Sequence, residues 1–197
     1  MKINEVINEM REYADLYNIP IMTDDGMRYL LNYIVKNHIK KVLEVGTAIG
    51  YSAICMCSVD PELTVTTIER DEKRYLEALK NIKKAGLEDR IEILYQDALE
   101  VQVDDIYDLL FIDAAKAQNR RFFERFENNL SPQGTVITDN MSFHGMVGKN
   151  PEEIESRNVR QLARKVNDYK EFLMNNIHYH TEFYDVGDGI AVSEKIS

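Results

Sequence analysis

Carboxylate and amide side chains close two apolar runs in the second half of the chain. Asp113 ends the run YDLLFID, and Asp139 and Asn140 end the run GTVITDN. If both runs are neighbouring parallel strands, these side chains converge at one edge of the sheet. Hard oxygen donors suit Mg²⁺, which keeps open positions for water or substrate. We predict a Mg²⁺ site at Asp113, Asp139 and Asn140; the alternative is that the carboxylates only cap the segments after each strand.

Lys116 follows Asp113 by three residues and therefore falls beside the predicted metal. A nearby divalent cation disfavours the ammonium form of a lysine, which helps the side chain act as a general base. A metal chelated by two adjacent substrate oxygens also lowers the pKa of the attacking hydroxyl and orients it. Asp113 and Lys116 are therefore the predicted catalytic residues.

A second set of functional residues follows the first apolar run, in the segment VLEVGTAIGYS. Its spacing is E-x-G-x-x-x-G from Glu44, because Ala48 stands where a dinucleotide-binding loop has its second glycine. Glu69 ends the next run, roughly twenty residues after Gly46, where a carboxylate can hold ribose hydroxyls. Glu44 would repel a pyrophosphate and suit a cationic amino group. The pattern predicts S-adenosylmethionine as the ligand; the alternative is an ordinary glycine-containing strand-to-helix turn.

The surrounding pattern predicts the elements that must position these residues. Nearly continuous apolar runs alternate with amphipathic stretches, which favours a parallel sheet with helices on both faces. Predicted strands are 41–45, 63–69, 90–95, 107–113 and 134–139, and predicted helices are 2–17, 25–37, 51–59, 71–85, 117–130 and 152–175. The Gly-Asp-Gly at 187–189 predicts a closing antiparallel hairpin. We expect one α/β domain over 1–197, a doubly wound Rossmann-like sheet, with N-terminal helices (1–38) and a cofactor- and substrate-binding core (41–197).

Composition excludes several classes of protein. The chain has 34 acidic and 24 basic residues, so its net charge of −10 argues against a general nucleic-acid coat protein. Its charged N-terminus lacks a signal peptide, and no apolar window is long enough to span a membrane. Cys55 and Cys57 are too few and too close for a disulfide framework or a zinc site, so we expect buried thiols and a cytoplasmic protein.

The segments VLEVGTAIGYSA, TTIERD, QDA, FIDAAK and TDN, with PIMTDDG and the closing GDGIAVS, resemble the Mg²⁺-dependent O-methyltransferases of the catechol and caffeoyl-CoA type. The resemblance implies a class I methyltransferase fold, S-adenosylmethionine as the methyl donor and a homodimer. It implies cofactor contacts at Met22, Glu44, Gly46, Ser52, Glu69, Asp97, Ala98 and Asp113. It also implies metal binding by Asp113, Asp139 and Asn140, with Lys116 as the base.

Within that family, the segments DNMSFHGMVG and ESRNVRQLARKVNDY are most similar to the bacterial branch that methylates tRNA. That branch converts 5-hydroxyuridine at the wobble position to 5-methoxyuridine. Ala115 departs from the caffeoyl-CoA type, which carries an acidic residue between the metal-binding Asp and the Lys. Catechol and 5-hydroxyuridine both present two adjacent oxygens, so the active-site residues alone leave a small-molecule catechol substrate open. A non-catalytic nucleotide-binding or NAD-dependent domain is a third possibility.

Basic side chains could supply the RNA contacts. Arg157, Arg160 and Arg164 fall on one face of the predicted last helix. A second basic cluster comprises Arg120, Arg121 and Arg125. Both clusters are predicted to bind phosphates of the tRNA anticodon loop, and His144 is placed to touch substrate. The alternative for the helix is a solvated face paired with neighbouring glutamates, and for His144 an ordinary surface position.

Overall fold

A computed structural model describes residues 3–141 and 157–196, without the side chain of Val159. Within these residues, seven strands form one mixed sheet in the order β3-β2-β1-β4-β5-β7-β6. The strands are β1 (Lys41–Val45), β2 (Thr64–Glu69), β3 (Ile91–Tyr95), β4 (Tyr107–Ile112), β5 (Leu130–Thr138), β6 (Tyr179–Tyr184) and β7 (Ile190–Lys195). The first five pair in parallel, and β7 runs antiparallel to both β5 and β6. The predicted doubly wound sheet with a closing hairpin is confirmed.

Six helices flank the sheet in the described part of the chain. They are α1 (Ile3–Tyr17), α2 (Asp24–Lys36), α3 (Tyr51–Val59), α4 (Glu72–Ala85), α5 (Asn119–Phe126) and α6 (Arg157–Met174). Local sequence sets their ends: the Asp71 side chain accepts from the backbone N–H of Arg74 at 2.9 Å, and Gly86 closes α4 in a left-handed conformation. Thr23 caps α2 in the same way as Asp71 caps α4, accepting from Gly26.

The fifth strand and its preceding helix differ from prediction. The helix predicted over 117–130 ends at Phe126, and a 3₁₀ turn, Glu127–Asn129, leads directly into β5 at Leu130. Because the β4–β5 ladder is irregular between Tyr107 and Leu109, β5 accommodates Pro132, which has no N–H to donate. The last helix, predicted over 152–175, is observed from Arg157; residues 152–156 lie outside the described residues.

Two apolar layers bury the sheet, one on each face. Val42 of β1 packs in the layer under α1–α4, and the next residue, Leu43, packs in the layer under α5 and α6. This alternation follows from side chains pointing to opposite faces of a strand. Cys55 and Cys57 are free and buried in the first layer, as predicted. None of the described helices is long and apolar enough to cross a membrane.

Candidate active site

A cavity of about 530 Å³ lies at the carboxyl ends of the parallel strands, a volume typical of small-molecule sites. Segments after all five parallel strands contribute to it, together with the segment before α2 and the turn before β7. Its lining includes Met22, Gly46, Ala48, Glu69, Arg70, Arg74, Asp97, Ala98, Asp113, Lys116, Asp139, Asn140 and Asp188. The converging strand ends therefore bring most of the predicted site residues into one cavity.

The loop after β1 needs a glycine at position 46. Gly46 has φ +107°, and a Cβ there would lie 2.1 Å from the carbonyl oxygen of Asp113. Its backbone N–H donates to the carbonyl of Ile68 at 3.1 Å. The β1 loop is thus held between the ends of β2 and β4, and a side chain would push those ends apart.

Glu69 is a fixed acceptor at the end of β2. Its carboxylate accepts the backbone N–H groups of Ala48, Arg70 and Asp71, each at 2.9 Å. An ionised carboxylate offers about four lone-pair positions, so these bonds leave roughly one for a ligand. Glu69 is only 7% exposed but lines the cavity, which suits it to accept from a ribose hydroxyl.

The end of β3 provides the next part of the wall. The Asp97 carboxylate accepts the backbone N–H of Leu99 at 2.9 Å and pairs with Arg70 at 3.1 Å. The Leu99 hydrogen bond, followed by Arg70, holds the pKa of Asp97 below its ordinary value. Ala98 lies beside it, and Met22 contributes a buried apolar side chain to the same cavity. The predicted cofactor residues Met22, Asp97 and Ala98 are therefore brought together.

Glu44 and Ser52 are placed differently. Glu44 is fully buried, and its carboxyl accepts hydrogen bonds from the Ser52 and Thr67 hydroxyls. Burial raises the pKa of Glu44 to about 7. Neither Glu44 nor Ser52 lines the cavity, so they support the β1 loop from behind. Their contact with a cofactor stays a prediction.

Asp113, which is half-buried, and Asp139, which is buried, form an acidic pair joined by Asn140. The Asn140 side-chain amide donates to Asp113 Oδ1 at 3.0 Å and to Asp139 Oδ2 at 3.1 Å. Asn140 has φ +66°, a left-handed conformation that asparagine tolerates better than most residues. Burial raises the pKa of Asp113 to about 6 and that of Asp139 to about 7, and in Asp139 the Asp113 charge adds to this effect. Two neighbouring carboxyl groups repel each other when both are ionised, and this repulsion favours a cation between them.

The chemistry of these donors fits a hard divalent ion. The Asn140 amide nitrogen faces both carboxylates, and a half-turn of that amide would put its oxygen there, giving an all-oxygen donor set. Two carboxylates and one amide would leave coordination positions for water or substrate. The described residues contain no cluster of three or more His, Cys, Asp or Glu side chains that could hold a metal, so the amide is needed to complete the set.

Asp188 is a cavity residue that the sequence pattern predicts only as part of a turn. It lines the cavity, and its charge contributes, after burial, to the raised pKa values of Asp113 and Asp139. Antiparallel pairing of β7 with β5 brings the turn before β7 to the carboxyl end of β5. Lys116 begins a 3₁₀ turn, Lys116–Gln118, and lines the same cavity. The sequence signal for Asp188 is an aspartate in the turn of a hairpin that is predicted to join this sheet.

The arginines of α6 lie outside the cavity lining. Arg157 and Arg164 are exposed and Arg160 is half-buried, on the side of α6 opposite its buried residues. The side chains of Ala163 and Tyr169 are among those that α6 buries. The described surface therefore presents a row of arginines on α6. His144 lies outside the described residues.

The second predicted basic cluster is largely engaged within the fold. Arg120 pairs with Glu124 at 2.8 Å and lies 4.7 Å from the centre of the Phe172 ring. Arg125 donates to the carbonyl of Val101. Arg121 is exposed. A phosphate-binding role for Arg120 and Arg125 would therefore compete with contacts that hold α5 in place.

Comparison with known proteins decides the family. The family model described as O-methyltransferase matches residues 2–196. The chain belongs to the O-methyltransferase family. The match spans every segment that lines the cavity.

Similar proteins cover almost all of this O-methyltransferase. Caffeoyl-CoA O-methyltransferase of Populus kitakamiensis is 25% identical, over 98% of this chain and 87% of that protein. Flavonoid 3',5'-methyltransferase of Vitis vinifera is 26% identical, over 98% and 85%. The crystal structure of a candidate caffeoyl-CoA O-methyltransferase from Staphylococcus aureus is 41% identical, with a TM-score of 0.91 over 96% of this chain and 92% of that chain. The fold therefore matches solved O-methyltransferase structures throughout.

Proposed function

We propose that this enzyme transfers a methyl group from S-adenosylmethionine to one hydroxyl of a substrate with two adjacent oxygens, in a Mg²⁺-dependent reaction. The observation that carries the proposal is that one cavity contains Glu69 at one end and the group Asp113, Lys116, Asp139 and Asn140 at the other. Glu69 suits a nucleoside, and the second group suits a chelating, acidic hydroxyl. The cavity can therefore hold the methyl donor and the methyl-accepting hydroxyl side by side.

The cofactor half rests on residues that recognise a nucleoside without phosphates. Glu69 keeps an acceptor position for a ribose hydroxyl, and Asp97 with Ala98 would flank the adenine. Met22 would cover the cofactor from the segment before α2. The β1 loop lacks the glycine pattern of a pyrophosphate site, which favours a sulfonium ligand with an amino-acid tail.

The chemical half rests on a proton acceptor beside a chelating site. Asp113, Asp139 and Asn140 would hold Mg²⁺, which when bound lowers the pKa of a substrate hydroxyl and fixes the two oxygens. Lys116 would accept the hydroxyl proton. The resulting oxyanion attacks the methyl carbon while the bond from that carbon to sulfur breaks, leaving S-adenosylhomocysteine and a methyl ether. The enzyme contributes mainly alignment of oxygen, carbon and sulfur.

For the substrate, we propose 5-hydroxyuridine at the tRNA wobble position, converted to 5-methoxyuridine. The supporting observation is the arginine row on α6, because α6 packs against the 3₁₀ turn that begins with Lys116. Phosphates of an anticodon loop bound at this row would lie on the helix next to that turn, so a splayed-out base could enter the cavity.

A second candidate is a small catechol-type molecule. The names of the plant relatives, caffeoyl-CoA O-methyltransferase and flavonoid 3',5'-methyltransferase, favour this class. Catechols chelate a metal through the same two-oxygen geometry as 5-hydroxyuridine, so the cavity chemistry serves either substrate.

The test supplies purified enzyme with labelled S-adenosylmethionine and either hydroxyuridine-containing tRNA or catechol and caffeate. We expect Mg²⁺-dependent methylation of the tRNA, abolished by a chelator and restored by added Mg²⁺. If catechols are methylated and the tRNA is not, the substrate belongs to the second candidate class. If neither substrate class is methylated, the result contradicts the proposed methyl-transfer chemistry.

Charge reversal tests the RNA surface separately. Replacing Arg157, Arg160 and Arg164 by Glu should weaken tRNA binding and reduce the dependence of affinity on salt concentration. The matched control reverses three exposed lysines elsewhere, Lys36, Lys73 and Lys83, and so changes the net charge equally. Equal losses in both triple variants would attribute the effect to net charge rather than to the α6 row.

A further inference from the structure

The turn before β7, residues 186–189, is tied to the metal-side wall of the cavity. The carbonyl of Gly189 accepts the backbone N–H of Met141 at 2.9 Å, and Gly189 donates to the carbonyl of Val186 at 2.9 Å. Met141 directly follows Asn140. Asp188, between the two glycines, lines the cavity. The position of the turn therefore sets the position of Asp188 relative to the acidic pair.

The same turn meets the N-terminus of α2 at Gly187. A Cβ at Gly187 would lie 2.2 Å from Thr23 Oγ1 and 3.2 Å from the backbone nitrogen of Gly26. Thr23 Oγ1 accepts the Gly26 N–H at 3.3 Å, so rotating the hydroxyl away would remove the helix cap. Gly187 also has φ +57°. A side chain at position 187 must therefore displace the hairpin turn or the first turn of α2, or turn the Thr23 hydroxyl away and so remove the cap of that first turn.

The contact continues from α2 into the cofactor side of the cavity. Gly26 packs so closely on Met22 that a Cβ at position 26 would lie 3.0 Å from Met22 Cε. Met22 is 5% exposed and lines the cavity. Farther along α2, the Tyr29 ring packs on Tyr184 of β6 with centroids 4.9 Å apart, which keeps the helix and the hairpin together. Displacing the first turn of α2 would therefore move Met22.

We propose that Thr23, Gly26 and Gly187 form a clasp that positions Met22 over the cofactor and Asp188 beside the acidic pair at the same time. Gly187 is a positioning residue in this arrangement, because it acts through its neighbours rather than on the reacting atoms. The clasp couples the two halves of the cavity, so a side chain at 187 impairs both. The identity of the cofactor rests on the proposed function, whereas the contact itself does not.

The first test needs no ligand. Amide hydrogen exchange is measured over residues 20–27 in wild-type protein, Gly187→Ala and Gly86→Ala. Gly86 is the matched control, because it has φ +67° but a Cβ there meets no atom within 4 Å. We expect exchange over 20–27 to rise by roughly tenfold or more in Gly187→Ala and to stay near wild type in Gly86→Ala. Unchanged exchange over 20–27 in Gly187→Ala would overturn the clasp.

The second test measures S-adenosylhomocysteine binding by titration calorimetry and methyl transfer with the accepted substrate. In Gly187→Ala we expect weaker binding and turnover reduced on the order of 10²-fold, since small displacements of positioning groups have effects of this size. Thr23→Ala in that background should restore most of both, whereas Thr23→Val should not. Both changes remove the cap, but only alanine removes the atom nearest the new Cβ.

The two proposals fail in different ways. Failure of wild-type protein to bind S-adenosylhomocysteine would contradict the proposed cofactor, and the exchange rates would then decide the clasp alone. Equal recovery with Thr23→Ala and Thr23→Val would overturn the clasp, because it would show that the Thr23–Gly187 contact is not the cause.

Discussion

Replacing Glu69 by Gln tests whether the end of β2 holds a ribose. The carboxylate accepts three backbone N–H groups at 2.9 Å, two on Oε1 and one on Oε2. A glutamine oxygen can keep the two bonds of Oε1, but its NH₂ group then faces the N–H of Ala48. A hydrogen bond to a charged group contributes about 1.5–3 kcal/mol, so we expect the free energy of unfolding to fall by about 2 kcal/mol.

The effect on the ligand should be similar in size to the effect on folding. The remaining acceptor position of Glu69 faces the cavity, and glutamine would offer a neutral amide there. We expect S-adenosylhomocysteine affinity to fall on the order of 10–100-fold, equivalent to the loss of a charge-assisted hydrogen bond and misplacement of the β1 loop. Titration calorimetry and urea denaturation measure the two quantities, with exposed Glu92→Gln on β3 as the control. Affinity within twofold of wild type in folded Glu69→Gln would refute a ribose contact at this residue.

Three further predictions test the rest of the site. Asp139→Asn should reduce Mg²⁺-dependent turnover on the order of 10²-fold while S-adenosylhomocysteine affinity stays within about threefold; equal losses would contradict the metal assignment. Gly46→Ala places a Cβ 2.1 Å from the Asp113 carbonyl oxygen, and in urea denaturation should lose about 3 kcal/mol, against about 1 kcal/mol for Gly86→Ala. Burial raises the pKa of Glu44 to about 7, so the carboxyl ionises at lower pH in the unfolded chain than in the folded protein, and wild-type stability should fall by up to about 3 kcal/mol as pH rises from about 4.5 to about 7. Glu44→Gln should remove that share of the pH dependence, and an unchanged profile would show that Glu44 does not titrate there.

Local rules were enough to predict the parallel sheet and its strand ends. Nearly continuous apolar runs followed by polar residues placed Asp113 and Asp139 at one sheet edge, because carboxyl ends of adjacent parallel strands converge. Local rules did not predict the bounds of β5, because its irregular first half depends on pairing with β4 rather than on its own apolar pattern.

Features that depend on distant pairing were missed or only partly predicted. Asp188 enters the cavity because β7 lies beside β5, a contact between segments about fifty residues apart. The Gly-Asp-Gly turn predicts the hairpin but not which strand the hairpin pairs with. Arg120 was assigned to phosphate from its charge, but α5 and α6 pack so that it stacks on Phe172. Charge and spacing identify candidates; the tertiary contacts decide which of them remain available to a ligand.

The charge of the cavity argues for a sulfonium cofactor over a dinucleotide, and by a different route from the sequence argument. Glu44 was expected to repel a pyrophosphate, but it lies behind the cavity wall. Among the described lining residues the carboxylates outnumber the cations five to three: Glu69, Asp97, Asp113, Asp139 and Asp188 against Arg70, Arg74 and Lys116. A pyrophosphate would add negative charge to this excess, whereas a sulfonium and a divalent cation would offset it. Three of these five acids, Glu69, Asp113 and Asp139, are those proposed to hold the ribose and the metal, so residues that equip the site for methyl transfer also disfavour NAD.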